Sequence, residues 1–441
     1  MKELPFSSKS EILQYANSYN TPFYVYDQET VEAQCKELKQ SFSWANEFQN
    51  YFAVKATPNP YILNIIKEQG FGVDCSSYAE LLLAEATGFT KEEIFFTSNN
   101  TTLEEYQKAI QLGAIINFDD KSHLQLVKEN IGLPEHVCFR YNPGSLRNGN
   151  DILGNPSSAK FGLTREQLFQ GYAEAKSLGC TKFSLHTMII SNSLDEHELF
   201  QTAEMMFELV KELKTKLDIS IRQVNLGGGI GIPYKPTDKP VSTISLGTKI
   251  QKLYENMMLS QNDFLPFKLC FECGRFITGP AGILITRIIN KKTTHKNYLG
   301  VDASIANLLR PAMYGSYHHC SHITDTDCAP SAAKKKLSLR KLSVEESELK
   351  LNGSFYDVVG SLCENNDKLA TDRHVGENVE IGDLLIFHDT GAHCSAMGFN
   401  YNGKLRCAEY IRKPCGELKL IKRAETYADL FSTLVWSRKL D

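Results

Sequence analysis

No stretch of the chain approaches the roughly 20 consecutive apolar residues that a membrane-spanning helix requires, and the opening MKELPFSSKS has no hydrophobic core of the kind a secretory signal carries. The expectation is a soluble, cytoplasmic protein. Excess positive charge is missing too. Forty-eight Lys and Arg stand against 52 Asp and Glu, a net charge of −4, which leaves no basic field for nucleic acid or an anionic membrane. The 12 cysteines lack the paired spacing of a disulfide framework and fit a reducing compartment. Cys270 and Cys273 do form a CxxC, but no second CxxC and no histidine at metal spacing accompanies it, so no metal site is expected.

What is present is alternation. Eight short apolar runs read as strands: YFAV (51–54), FGV (71–73), IFFT (94–97), AIINF (114–118), VCF (137–139), KFSL (182–185), VNL (224–226) and KLCF (268–271). They are followed by Lys55, Asp74, Ser98, Asp119, Arg140, His186, Gly227 and Glu272, each polar or glycine. Seven intervening stretches, YAELLLAEATG and LFQTAEMMFELVKELKTKL among them, carry the apolar spacing of helices. Strand and helix alternating in this way predict a (β/α)8 barrel, whose chemistry gathers at the carboxyl ends of the strands, where those polar residues would fall. A single lysine there could be no more than a solvated strand end; its companions give Lys55 its interest.

A barrel needs about 250 residues, and this chain has 441. Beyond residue 280 the helical spacing fades and strand-like runs take over: ILITRII (283–289), FYDVVGS (355–361), DLLIFHD (383–389), RCAEYIR (406–412) and LKLIKR (418–423). The expected organisation is a barrel at 31–280 and a β-rich domain at 281–441, joined by a strand-like segment at 1–30 that includes TPFYVYD. A polar segment at about 321–350, containing APSAAKKK, reads as a surface insertion.

Three consecutive glycines, Gly227, Gly228 and Gly229, follow the seventh barrel strand. Without Cβ atoms they let backbone N–H groups approach an anion, and phosphate sites recur at this place in barrels; a tight turn without a ligand is the plainer reading. A nicotinamide-binding loop would instead open an early βαβ unit, with an acid about 20 residues on. Glu272 closes the eighth strand in FECGRFITGP, where it could simply pair with Arg275. A lysine for an aldehyde, a phosphate cradle and an acid for a pyridine nitrogen are together the requirements of pyridoxal 5′-phosphate.

With those residues in place the chain resembles the fold-type III pyridoxal-phosphate decarboxylases, and within them the diaminopimelate decarboxylase family. The resemblance runs nearly end to end, through TPFYVYD, YFAVKATPNP, FGVDCSSYAE, FRYNPG, KFG, NLGGGIGIPY, ECGR, VDASIANLLRPAMYGSYHH, GSLCENND and GAHCSAMGFNYNG. It implies an alanine-racemase-type barrel with a β domain, and a homodimer with shared active sites. By the same resemblance Lys55 carries the cofactor's aldehyde and Glu272 partners the pyridinium. Gly227 to Gly229, Ser191 and the backbone of Glu272, Cys273, Gly274 and Arg275 hold the phosphate, while Asp74, His186 and His393 complete the cofactor site. Arg275, Arg310 and Tyr314 match residues that hold a substrate's distal carboxylate. Glu364 and His393 fall at substrate-contacting positions, and Cys363 matches a cysteine that delivers a proton from the opposite subunit. The implied reaction is decarboxylation of meso-2,6-diaminopimelate to L-lysine and CO2.

The chain departs from the family pattern twice. The usual HxGS segment reads LHTMIISN, so the residue stacking on the pyridoxal ring is His186 or Met188; the usual GAY tyrosine is His393. Two other readings therefore stand beside the first. One is a related decarboxylase acting on another carboxylated diamine or basic amino acid. The other is a non-catalytic regulatory protein on the same fold, which the retention of Lys55, Glu272 and Cys363 opposes.

Overall fold

A computed structural model of the protein describes Phe6 and residues 8–148, 154–260, 265–324, 355–376 and 378–435. The chain forms two compact units, one of Glu32–Ile232 and Lys239–Ile277, the other of Met1–Val31, Pro233–Asp238 and Thr278–Asp441.

Strand β1 (Phe23–Asp27) precedes eight parallel strands: β2 (Phe48–Ala53), β3 (Gly72–Cys75), β4 (Ile94–Thr97), β5 (Ile115–Phe118), β6 (His136–Tyr141), β7 (Lys182–Thr187), β8 (Ile221–Asn225) and β9 (Lys268–Phe271). Each pairs with the next, and β9 returns to β2 through Phe48 opposite Leu269, closing the barrel. These strands are buried on both faces, which is why their sequences are continuous apolar runs without alternation. Tyr51, Phe95, Ile115, Cys138 and Cys270 pack together inside. Several of the helices between strands start where the sequence supplies a cap. Asn59 accepts from the Tyr61 N–H with Pro60 at the first helical position, Ser77 accepts from Glu80, and Thr102 with Glu105 forms a reciprocal capping box. Asp74, Arg140 and His186, which read as residues following strands, lie inside β3, β6 and β7, since their backbones still pair with the neighbouring strands.

The second unit is built on β10 (Gly282–Thr293), β11 (Asn297–Val301), β12 (Cys320–Ile323), β13 (Phe355–Val359), β14 (Lys368–His374), β15 (Leu384–Phe387), β16 (Ala408–Arg412) and β17 (Leu418–Lys422). Their order is β14-β13-β11-β10-β1-β16-β17, with β15 bridging β10 and β12. The N-terminal TPFYVYD segment enters the middle of this sheet, antiparallel to β10 and parallel to β16. Its alternate side chains Phe23 and Val25 join Ile12, Leu13, Ile283, Ile285, Leu384, Ile386 and Tyr410 in one apolar core. Of the polar insertion expected at 321–350, positions 325–350 lie outside the described residues. Its first residues are strand rather than surface loop, because the backbones of Ser321 and His322 pair with Ile386 and Leu385. Among the described residues no helix is long and apolar enough to cross a membrane.

Candidate active site

The parallel barrel carries Lys55, Asp74, His186 and Glu272 at the same end, one from each of four strands. Lys55 stands in the single 3-10 turn Val54–Ala56 that ends β2; its two neighbours are buried and its own side chain is exposed. Asp74 is buried, and neither carboxylate oxygen has a hydrogen bond of good geometry among the described residues. Burial and the like charge of Glu272 push its carboxyl well above the usual range, with Lys55 pulling the other way. Glu272 takes the opposite course. Burial opposes its ionisation, but His186, Lys55 and Arg140 outweigh it and hold the carboxyl below the usual range. Of the two acids, Asp74 keeps the proton and Glu272 the charge.

His186 is fully buried, with Nε2 3.1 Å from Glu272 Oε1, an ion pair whenever the imidazole is protonated. Met188, two residues on, has turned to the glycine loop: its Sδ accepts from the Gly228 N–H at 3.2 Å. Arg140 was read as a strand end only, but it is buried, 3.4 Å from Asp119 and with its guanidinium 4.4 Å from the Phe161 ring centroid.

The glycine loop is tightly fitted. Gly227 and Gly229 have φ of 71° and 107°, and a Cβ on Gly227 would stand 2.4 Å from Thr187 O. Ser193 N–H donates to Gly229 O at 2.8 Å and Gly231 N–H donates to Ser193 O at 2.9 Å, bracing the loop against the segment that begins with the half-buried Ser191. Sequence reading missed the residue that connects the parts. Asn225, the last of β8 and wholly buried, donates from Nδ2 to Glu272 Oε1 at 2.9 Å and accepts the Gly227 N–H on Oδ1 at 2.9 Å. On the other side of Glu272, Asn50 Oδ1 accepts from Cys273 N–H at 2.8 Å, and Gly274 lies so close to Ala53 and Ala56 that a Cβ would meet the Ala56 methyl at 2.7 Å. Arg275, also buried, opens the short helix Arg275–Thr278. Burial pushes the Cys273 thiol up to about 12 and the Cys270 thiol well up, so both remain protonated.

The remaining candidates belong to the second unit. Arg310 and Tyr314 begin and end the helix Arg310–Tyr314; Arg310 is 1% exposed and Tyr314 half-buried. The Arg310 guanidinium donates from Nη1 to Tyr234 Oη and from Nη2 to Ser316 Oγ at 3.2 Å, and lies 4.8 Å from the Tyr234 ring centroid. Among the described residues no carboxylate pairs with it. Cys363 and Glu364 are exposed in the loop after β13, where the Cys363 N–H donates to Asn402 Oδ1 at 2.8 Å and the Glu364 carboxylate raises the Tyr401 phenol by a hydrogen bond. His393 is half-buried with φ of 57°. Its loop packs hard on backbone, since a Cβ on Gly391 would fall 1.8 Å from Thr278 O.

An exposed lysine with a buried glutamate held ionised and a glycine loop with no room for side chains suits pyridoxal 5′-phosphate, which needs an amine, a counter-charge for its pyridinium and a cradle for its phosphate. Residues 28–279 match the family model described as pyridoxal-dependent decarboxylase, pyridoxal binding domain. The chain is 38% identical over 95% of its length to Protein TabA of Pseudomonas amygdali pv. tabaci, covering 92% of that protein. It is 31% identical to the diaminopimelate decarboxylase of Methanothermobacter thermautotrophicus, across 96% of this chain and 93% of that one. The crystal structure of diaminopimelate decarboxylase from M. jannaschi superposes with a TM-score of 0.82 at 28% identity, covering 96% of this chain and 94% of that one. The Helicobacter pylori diaminopimelate decarboxylase complexed with L-lysine gives 0.80 at 25% identity, over 96% and 98%. With the barrel, its pyridoxal-type site and its sequence all in agreement, the chain belongs to the pyridoxal-dependent decarboxylases.

Proposed function

We propose that the protein decarboxylates meso-2,6-diaminopimelate to L-lysine and CO2, as a cytoplasmic homodimer. The observation that carries this choice of substrate is Arg310, a buried cation whose partners among the described residues are neutral, so that its charge is left for a substrate carboxylate. A buried guanidinium without counter-charge is costly, and a planar fork is the side chain suited to a carboxylate. A substrate ending in an ammonium group gains nothing from it.

When bound, pyridoxal phosphate supplies the electron sink that takes up the bonding pair left at Cα after CO2 departs. The chain's own residues do the rest. Lys55 Nζ would hold the cofactor through its aldehyde carbon. Glu272, whose carboxyl is held below the usual range, would keep a proton on the pyridine nitrogen, and Asp74 and His186 would complete the polar wall around it. Gly227 to Gly229, Ser191 and the backbone from Glu272 to Arg275 bind phosphate. Arg275, Arg310 and Tyr314 would hold the substrate's far carboxylate, and Glu364 and His393 would contact the substrate. Cys363 Sγ delivers the proton to Cα from the partner subunit.

The test is CO2 and L-lysine release by purified protein given meso-diaminopimelate, with L-ornithine and L-lysine as competitors for the role. Arg310→Ala should cost meso-diaminopimelate about 2–5 kcal/mol of transition-state stabilisation and leave slow turnover of the diamines little changed. Equal losses on every substrate would make Arg310 structural. A decarboxylase acting on another carboxylated amine is the second reading, favoured by the 38% identity to Protein TabA and by His393 in place of the family tyrosine. It predicts that a different substrate in the panel shows the highest kcat/KM.

A further inference from the structure

The motif GGGIGIPY does more than form a phosphate loop. Its last residue, Tyr234, leaves the barrel with the segment Pro233–Asp238 and packs within the second unit. Tyr234 is 6% exposed, accepts a hydrogen bond from Arg310 Nη1 on its hydroxyl and presents its ring to the guanidinium at 4.8 Å. The ring is itself fixed. His318 meets it edge-on at 5.0 Å and 74°, and His318 Nδ1 lies 3.0 Å from the carbonyl oxygen of His388. Ser316 Oγ takes Nη2 at 3.2 Å, and Cys394 also bonds the guanidinium. Arg310 Nε, although buried, has no acceptor among the described residues.

We propose that Tyr234 is a positioning residue that sets the preference for substrates with a distal carboxylate, by aiming the Arg310 guanidinium without neutralising it. The inference rests on Arg310 receiving that carboxylate, and the physical argument concerns the kind of partner. An aspartate or glutamate at this place would orient the guanidinium equally well but cancel its charge, and the site would lose its attraction for an anion. A phenol orients through a lone pair and a ring face, both of which favour the cation without offsetting it. Tyr234, Ser316 and Cys394 occupy some of the five guanidinium N–H donors; the Nε–H has no acceptor among the described residues, and it belongs to an edge of the fork that a carboxylate can grip in bidentate fashion together with an Nη–H. Loss of the hydroxyl frees the guanidinium to rotate off that axis.

The test is Tyr234→Phe in the holoenzyme, which keeps ring and volume and removes one hydroxyl. The ratio of kcat/KM for meso-diaminopimelate to kcat/KM for L-ornithine should fall roughly tenfold, mostly through KM, the size expected for one hydrogen bond to a charged group. The cofactor absorbance should remain that of the unaltered enzyme. Tyr234→Leu, which removes ring as well as hydroxyl, should lower the ratio further, and a thermal melt on both variants separates misfolding from a change of preference. An unchanged ratio in Tyr234→Phe, or an equal loss on both substrates, overturns the inference. Arg310→Ala measured beside it keeps the two ideas apart. If Arg310→Ala abolishes the preference and Tyr234→Phe does not, only the role of Tyr234 fails; if Arg310→Ala leaves the preference intact, the carboxylate reading beneath it fails.

Discussion

Asn225 holds Glu272 and the glycine loop in one frame, and removing it has a cost that can be worked from two distances. Its Nδ2 donates to Glu272 Oε1 at 2.9 Å and its Oδ1 accepts from Gly227 N–H at 2.9 Å, all three residues being buried. Asn225→Ala leaves a buried N–H without an acceptor, about 1–3 kcal/mol, and strips a buried carboxylate of a charge-assisted bond, about 1.5–3 kcal/mol. Together these should destabilise the cofactor-free protein by about 3–5 kcal/mol and lower its melting temperature by roughly 10 °C. Asn225→Asp separates the two bonds. It keeps the acceptor for Gly227 but sets a second carboxylate against Glu272, so one of the pair must take a proton and its folded pKa is raised. A raised carboxyl binds protons more tightly in the folded state, so stability is intact below the ordinary carboxylate range and falls as pH rises above it. The Ala variant should therefore run parallel to wild type from pH 5 to 8, while the Asp variant diverges from it with increasing pH. Thermal or urea unfolding across that range reads the difference, and titration with pyridoxal phosphate should show weakened affinity in both variants. Unfolding midpoints and cofactor affinity equal to wild type in Asn225→Ala would refute the argument.

Lys55→Ala should abolish both the near-violet absorbance of the purified protein and any borohydride-trapped adduct; an adduct mapped by mass spectrometry to another lysine would contradict the assignment. Inactive Lys55→Ala and inactive Cys363→Ala proteins, mixed and allowed to exchange subunits, should recover about a quarter of wild-type activity, because each mixed dimer holds one site with both lesions and one with neither. No recovery, despite exchange confirmed by native mass spectrometry, would place both residues in one chain or remove Cys363 from the chemistry. At the amino end of the barrel, burial holds His136 below its usual pKa against the opposing pull of Glu92, while its Nε2 bonds Ser184 Oγ at 2.7 Å. Its contribution to stability is then full above about pH 6.5 and declines as pH falls through that value, where the unfolded imidazole takes up a proton that the folded one resists. His136→Gln should flatten that part of the curve of stability against pH.

How far the sequence could be read depends on whether a residue's role is local. Lys55, Glu272 and the three glycines were legible because each ends a strand of period and length that the chain repeats eight times, and the fold turns strand ends into a single mouth. Asn225 was not, although it adjoins the glycines. In VNL it is one polar residue in a strand, and its meaning lies in a partner 47 positions away. Tyr234 bonds Arg310 across 76 positions, and nothing in the spacing of PY and LLRP foretells it. The second unit shows the same division. Runs such as DLLIFHD and RCAEYIR announce strands by their β-branched and aromatic content, whereas KLATDRH, which forms β14 at the edge of the sheet, is too polar to do so. An edge strand has one open side and needs little apolar surface, so the pattern that betrays a strand is weakest where pairing is one-sided. The same logic applies at the barrel mouth, with the sign reversed. There polar residues are buried around the candidate site, and Asp74, Arg140 and His186 each broke an apolar run one residue before the strand itself had ended. A polar residue that interrupts a strand pattern inside a buried barrel is thus a marker of the site more than a marker of the strand's end, and Arg140, passed over as a terminus, is the residue for which that distinction matters.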